Sequence, residues 1–224
     1  MTPKDLKDFG LYAKDKGISS LSLHHYNRKI ESSLTPYILE ERQLNVAVMD
    51  VFSRLMMERI IWIGGEVNDH MAMLTQAQLL YLDSLESTDI TMHINTPGGS
   101  VSSGLSMYNV MKYIKSDIRT INMGMAASMG SVLLGAGTKG KRSALEDSET
   151  MLHQSSGGAV GNIQDAEISM RMWKRLNDRL FFLLGKFCDK DPEQVKNDAT
   201  RDLWLTAQEA LEYKIIDEII QPKD

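Results

Sequence analysis

Ser128 stands among small residues in the segment Gly124-Met-Ala-Ala-Ser128-Met-Gly130, with His153 25 residues further on and Asp202 49 residues beyond that. A serine hydroxyl is a poor nucleophile at neutral pH until a base accepts its proton. An imidazole titrates in the right range to be that base, and a carboxylate on its other ring nitrogen would fix the tautomer and stabilise the imidazolium that forms. Upstream, Asn95-Thr-Pro-Gly98-Gly99 is a turn that exposes its backbone. The Gly99 amide and the Met129 amide just after the serine are candidate donors to an oxyanion, where losing one donor typically costs ~2.7–4 kcal/mol of transition-state stabilisation. Gly124, Ala126, Ala127 and Gly130 leave room for a substrate carbonyl to approach Ser128. The Gly157-Gly158 stretch offers a strand edge on which an extended peptide could add by main-chain hydrogen bonds.

Each of these features also has an ordinary structural reading. A serine among alanines and glycines commonly packs a helix, a lone histidine after an apolar run is commonly a satisfied core residue, and Asp202 beside Arg201 could be an ion pair. A Pro-Gly-Gly turn alone is a turn. Triads are recognised by geometry and not by order in the chain, so the elements that carry these residues decide the matter.

At 224 residues the chain is long enough to bury a sizeable core as one domain. Its net charge of −5 and lack of a basic stripe with interleaved aromatics argue against a general nucleic-acid binder. The single cysteine, Cys188, excludes an internal disulfide and fits a reducing compartment. No apolar run is long enough to span a membrane, and the charged start, Met1-Thr-Pro-Lys-Asp-Leu-Lys-Asp, does not read as a secretory signal. A cytoplasmic protein is expected. The pair His24-His25 invites a metal reading, but adjacent histidines point in different directions and no carboxylate or cysteine stands beside them at ligand spacing. No metal or cofactor is expected.

Residues 1–33 are polar, mixed in charge and without a sustained period, as in a flexible extension or removable leader. From Arg59 onward, short apolar runs alternate with helical patterns. Strands are expected at 60–63, 90–94 and 118–122. Helices are expected after an Asn68-Asp69 cap, over 102–115, and from the serine segment onward. This alternation predicts an α/β architecture with largely parallel pairing. Further strands are expected at 143–145 and 151–153, then a long helix over 164–188 with an apolar stripe of Ala166, Met170, Trp173, Leu180, Leu184 and Phe187. A helix of some 25 residues is roughly 37 Å long, more than a core of this size needs, so it is expected to project against another subunit. Asp191-Pro192 and the Thr206/Glu209 capping box mark two more helix starts, and residues 215–220 read as a terminal strand.

Several of these segments, taken in register, resemble the ClpP family, the proteolytic subunits of ATP-dependent Clp proteases. The resemblance rests on Asn95-Thr-Pro-Gly-Gly, Gly124-Met-Ala-Ala-Ser-Met-Gly130, Gly140-Lys-Arg142, Leu152-His-Gln154 with Gly157-Gly158, and Thr200-Arg-Asp202. It runs from about Leu34 to Ile220. It implies a crotonase-like α/β subunit whose long helix, with the glycine-rich strand before it, forms the handle that joins two stacked heptameric rings around a chamber. It implies Ser128 as nucleophile, His153 as general base, Asp202 as its orienting partner, and the Gly99 and Met129 amides as the oxyanion hole. Gly98, Val101, Ser156 and Gly158 correspond to positions along the bound peptide, and Gln154 and Arg201 to positions in assembly contacts. An AAA+ unfoldase such as ClpX or ClpA would feed unfolded proteins into the chamber, ATP being used by that partner.

Three departures from the family pattern stand out. Ser155 replaces the usual proline after His-Gln, which is expected to loosen the handle strand. Thr200 replaces the acidic residue that commonly precedes Arg201. Thr91 and His93 replace aromatic side chains at the unfoldase-docking pocket. Two rival readings remain open: a catalytically silent ring subunit that regulates active paralogues, and a crotonase-fold enzyme acting on an acyl-CoA thioester. The resemblance also makes residues 1–33 a propeptide cut near Ser33 by self-processing. Intact mass checks this: unaltered protein is expected to lose the leader while Ser128→Ala retains it, and equal retention in both would contradict it.

Overall fold

The computed structural model describes residues 37–42, 45–157 and 162–221. The expected leader (1–33) and its cut near Ser33 lie outside the described residues. The chain divides into two units, 1–58 and 59–224. In the first, strands β1 (Tyr37–Arg42) and β2 (Asn45–Asp50) pair antiparallel, Tyr37 opposite Asp50 and Arg42 opposite Asn45. Helix α1 (Val51–Met57) follows at once, capped by the Asp50 carboxylate, which accepts the Ser53 amide at 3.0 Å.

The second unit is built on three parallel strands, β3 (Ile60–Gly64), β4 (Ile90–Thr96) and β5 (Ile118–Ala127). Helices α2 (Asp69–Leu85) and α3 (Val101–Tyr113) make the crossovers that parallel pairing requires. Alternate residues of the strands are buried: Ile61 and Ile63, then Ile90, Met92, Ile94 and Thr96, then Ile118, Thr120 and Asn122. Against them lie Leu79 and Leu82 of α2, Met107 and Met111 of α3, and all of α4 (Met129–Gly135). Arg59 closes the start of this unit. At φ 60° it turns its guanidinium to the carbonyls of Leu82, Glu86, Thr88 and Asp89, which satisfies the open C-terminal end of α2.

Beyond β5 the sheet forks. β6 (Arg142–Leu145) runs parallel to the first half of β5, and β9 (Glu218–Ile220) runs parallel to β6. β7 (Glu149–Leu152) runs parallel to the last residues of β5, and β8 (Leu203–Thr206) pairs antiparallel with β7. The long helix α5 (Ile163–Cys188), α6 (Pro192–Asp198) and α7 (Ala207–Glu212) complete the unit. Among the described residues no helix is long and apolar enough to cross a membrane, and no group of three His, Cys, Asp or Glu could hold a metal ion.

The structure corrects several element boundaries. The third strand continues to Ala127, so Gly124-Met-Ala-Ala is strand and only Met129 onward is helix. The 151–153 strand ends at Leu152, which leaves His153 just beyond it. The terminal strand shortens to three residues, with Ile215 and Ile216 buried ahead of it. β8 was not anticipated. The apolar stripe of α5 divides in two: from Leu180 onward its residues enter the core, while Met170 is 59% exposed. Trp173 instead lies against Gly157, where an added Cβ would stand 2.7 Å from its ring.

Arg142 pins the outer arm of the sheet. Its guanidinium side chain is 3% exposed, meets Asp217 at 2.6 Å and donates to the carbonyls of Phe187 and Lys214. Burial alone would raise the Asp217 pKa, but the hydrogen bonds and charge of Arg142 overcome it and hold the carboxyl below its usual value. A depressed folded-state pKa gives stability that is present above the unfolded value and lost as pH falls through the folded one. Asp217→Asn leaves Arg142 buried and uncompensated. By thermal or urea unfolding it is expected to cost about 3–5 kcal/mol and to flatten the acid limb of the stability profile.

Candidate active site

Ser128 alone makes the turn from β5 into α4. Its backbone sits at φ 55° and ψ −118°, a region that side-chain-bearing residues avoid at a cost of about 1–3 kcal/mol. Local bonds hold it there. The Ser128 amide donates to the Met151 carbonyl at 2.9 Å, and the Ser128 carbonyl accepts the Ser131 amide at 3.1 Å and its hydroxyl at 2.7 Å. A serine on such a strand-to-helix turn projects its hydroxyl clear of its own backbone.

The imidazole arrives through strand pairing. β5 and β7 are in register at Ala127 and Met151, so the next residues of each strand, Ser128 and Leu152-His153, emerge side by side. His153 Nε2 lies 2.7 Å from Ser128 Oγ. A lone pair on Nε2 to accept the hydroxyl proton requires the hydrogen on Nδ1, and Nδ1 faces Asp202. That carboxylate is delivered by β8, whose Leu203 pairs with Leu152. It stands 3.6 Å from Nδ1, longer than the about 2.7–3.2 Å of a nitrogen–oxygen hydrogen bond. The side chains of His153 and Asp202 are 25% and 62% exposed. Unit charges about 4 Å apart interact by ~1 kcal/mol in water and ~4 kcal/mol at an effective dielectric constant near 20. The strength of this third arm therefore depends on how far water is excluded from it.

Two backbone amides near this turn are left without ladder or helix partners. Val67 bridges Gly99 in parallel fashion: the Val67 amide donates to the Gly98 carbonyl and the Ser100 amide donates to the Val67 carbonyl, both at 2.8 Å. This pairing uses the groups flanking Gly99 and turns the Gly99 amide to the opposite side. The Met129 amide is at the first position of α4, where no intrahelical acceptor is in reach. Neither amide has a backbone partner among the described residues. Gly98, at φ 90°, lies directly on the serine turn: a Cβ there would stand 2.6 Å from Ser128 Cβ and 2.9 Å from the Met129 nitrogen. Thr96 holds this turn, its hydroxyl donating to the Gly65 carbonyl and accepting the Gly98 amide at 3.0 Å. Sequence reasoning missed Thr96. A hydroxyl two residues before a turn amide is the available signal for it.

The amino-acid sequence matches known proteins along nearly its whole length. A family model described as Clp protease matches residues 42–223. The chain belongs to the Clp protease family. Three relatives named ATP-dependent Clp protease proteolytic subunit, from Porphyromonas gingivalis, Bacteroides fragilis and Bacteroides thetaiotaomicron, are each 50% identical to it. The matches cover 96%, 97% and 97% of this chain and 98%, 100% and 100% of those proteins. The α/β fold described above is thus that of a member of a protease family.

The other residues singled out from the sequence fall as follows. Val101 is the first residue of α3, half-buried. Gln154 and Ser156 are exposed on the segment leaving β7, Arg201 is exposed just ahead of β8, and Gly158 lies outside the described residues. Ser155 is tied to the long helix: its amide and hydroxyl both donate to Asn177 Oδ1 of α5, at 3.0 and 3.1 Å. A proline there would have no amide to donate. The Thr200 hydroxyl turns back to the Asn197 carbonyl at 2.8 Å. Thr91 and His93 sit on β4 opposite Ile60 and Trp62, towards the end of the sheet away from Ser128. The Trp62 ring meets the His93 ring edge-on at 5.4 Å, and burial lowers the His93 pKa. Cys188 is fully buried, which pushes its thiol up to about 12, so it is no rival nucleophile.

Gly98→Ala would force a methyl group into the serine turn at a backbone angle that alanine resists. Reaction of Ser128 with a fluorophosphonate probe is expected to fall by about 100-fold or more in protein that remains folded by circular dichroism. Labelling at the parent rate would contradict the packing argument.

Proposed function

We propose that this chain is the proteolytic subunit of an ATP-dependent Clp protease, a serine endopeptidase that cuts unfolded polypeptides to small peptides. The observation that carries the reading is the 2.7 Å contact between Ser128 Oγ and His153 Nε2 on a strained strand-to-helix turn flanked by two unpaired amides. An extended peptide lies against the glycine-rich edges with its scissile carbonyl over Ser128. Val101, Ser156 and Gly158 line its path. Oγ attacks the carbonyl carbon as His153 takes the proton, and the oxyanion receives hydrogen bonds from the Gly99 and Met129 amides. His153 returns the proton to the leaving amine, and an acyl group stays on Ser128. Water, deprotonated by His153, then releases the acid. Asp202 stabilises the imidazolium in both half-reactions.

Assembly follows from the same reading. The first half of α5 presents Ile163, Ile168, Met170 and Met172 at 79%, 57%, 59% and 44% exposure. Packing of that helix between two stacked heptamers, with Arg201 and Gln154 in the contacts, supports an enclosed chamber. A chamber makes access the basis of specificity, so an AAA+ unfoldase such as ClpX or ClpA threads substrates in and spends the ATP. The peptidase itself uses neither metal nor nucleotide. The same nucleophile removes residues 1–33, and the particle works in the cytoplasm. The open 3.6 Å arm at Asp202 is the observation that favours the alternative, a silent ring subunit in a mixed complex.

Cleavage of a short fluorogenic peptide by assembled protein separates the two. The expected results are hydrolysis lost in Ser128→Ala, and turnover down by about 10³–10⁴-fold in Asp202→Asn, where the wrong tautomer is favoured. An assembled particle that neither cleaves the peptide nor reacts with a β-lactone probe would establish the silent subunit instead.

A further inference from the structure

Ser128 ends β5 and His153 follows β7, so the reach from nucleophile to base is set by how these two strands lie together. They do not pair along their whole length. β5 pairs with β6 up to Asn122, opposite Ala144, and takes up β7 only at Met125, opposite Glu149. On its other edge the register slips at the same place: Ile94 faces Asn122, but Thr96 faces Ala126. Four steps along β5 answer two along β4, so residues 123–125 bulge. Bulges re-aim a strand end and leave amides without ladder partners.

Two asparagine side chains take up those amides. The Gly124 amide donates to Asn122 Oδ1 at 3.1 Å, and the Met125 amide donates to Asn95 Oδ1 at 3.2 Å. Asn122 reaches further. Its amide nitrogen donates across the fork to the Glu149 carbonyl at 2.9 Å and towards Thr150 Oγ1 at 3.2 Å, both in β7. It is fully buried, as is Thr150 at 1% exposure. One carboxamide thus ties the bulge of the strand that leads into Ser128 to the strand that leads into His153. A carboxamide suits this point because it holds an acceptor and donors on the two ends of one planar group.

We propose that Asn122 is a positioning residue for the Ser128–His153 pair: its carboxamide locks the β5 bulge against β7 and thereby sets the approach of Oγ to Nε2. It touches no reacting atom. The proposal rests on the reading of Ser128 and His153 as nucleophile and base. Leucine at this position has a similar volume but can neither accept from the Gly124 amide nor donate across the fork to Glu149 and Thr150. The bulge then relaxes, and a misplacement of about 1 Å at the reacting atoms costs on the order of 10²-fold in rate.

The test compares assembled particles of the parent, Asn122→Leu and Thr150→Val. It measures kcat and KM on a fluorogenic peptide and the rate of fluorophosphonate labelling of Ser128, with unfolding temperature recorded separately. For Asn122→Leu the expected result is a drop of about 10–100-fold in kcat and in labelling rate, with KM within about two-fold of the parent. Thr150→Val removes one hydroxyl and keeps the shape, and a parallel fall of roughly 2–5-fold is expected. A merely structural role would lower the unfolding temperature or the yield of particles and leave turnover per particle unchanged, which would overturn the proposal. If Asn122→Leu does not assemble, Thr150→Val decides, and kcat equal to the parent overturns it. Failure of the parent itself to label at Ser128 would instead remove the reading beneath the proposal, an outcome distinct from equal labelling of parent and variants.

Discussion

The backbone of one serine is the constraint around which this structure is organised. At φ 55° Ser128 occupies a conformation that costs about 1–3 kcal/mol, and it persists because its surroundings leave no alternative. Its amide is held by β7, and its carbonyl by Ser131. The Gly98 turn covers it so closely that no side chain fits between them, and Thr96 holds that turn in place. Relaxing the serine would mean unpairing strands or opening a buried turn, both more costly than the strain itself. The strain is therefore stable, and it holds the Ser128 hydroxyl 2.7 Å from His153 Nε2.

The forked sheet is what makes this possible. A flat parallel sheet would carry β5 straight past its neighbours. Here β5 leaves β6, bulges, and finishes beside β7, so one strand serves both the structural arm and the arm that bears the base. The structural arm is anchored by the buried Arg142–Asp217 pair and by β9. The other arm ends in β8 and an exposed carboxylate. Exposure rises outward from His153, 25%, to Asp202, 62%. That gradient, together with the exposed apolar half of α5, fits a site whose last arm is tightened by packing between subunits.

Much of this was legible in the amino-acid sequence, for identifiable reasons. Helix starts were readable because their caps are chemical: Asn68, Asp191 and the Thr206/Glu209 box all stand where the residue types indicate. Strands β3 and β4 were readable as β-branched apolar runs between turn residues. The end of β5 was not, because Gly124, Ala126 and Ala127 are poor strand formers in isolation. They are strand because β4 and β7 close on both sides of them. β8 was hidden because Leu-Trp-Leu-Thr is short and gains its partner only from β7. The candidate nucleophile, base and carboxylate could be picked out by type and by several motifs in register, whereas the inequality of their spacings could not. Asn122 and Thr96 left no trace as site residues, since their roles arise from a bulge and a turn that exist only once the sheet is formed. The anchor of Ser155 was hidden for the same reason: its partner, Asn177, is 22 residues away.

The central claim is that Ser128, His153, Asp202 and the amides of Gly99 and Met129 act as one unit. Structure determination of the assembled particle with a phosphonate covalently trapped on Ser128 tests it most directly. The account predicts an adduct on Ser128 Oγ, a phosphonyl oxygen within about 2.7–3.1 Å of both amides, and Asp202 drawn into hydrogen-bond range of His153 Nδ1. An adduct on another residue, or a phosphonyl oxygen turned away from Gly99 and Met129 in a fully assembled particle, would contradict it.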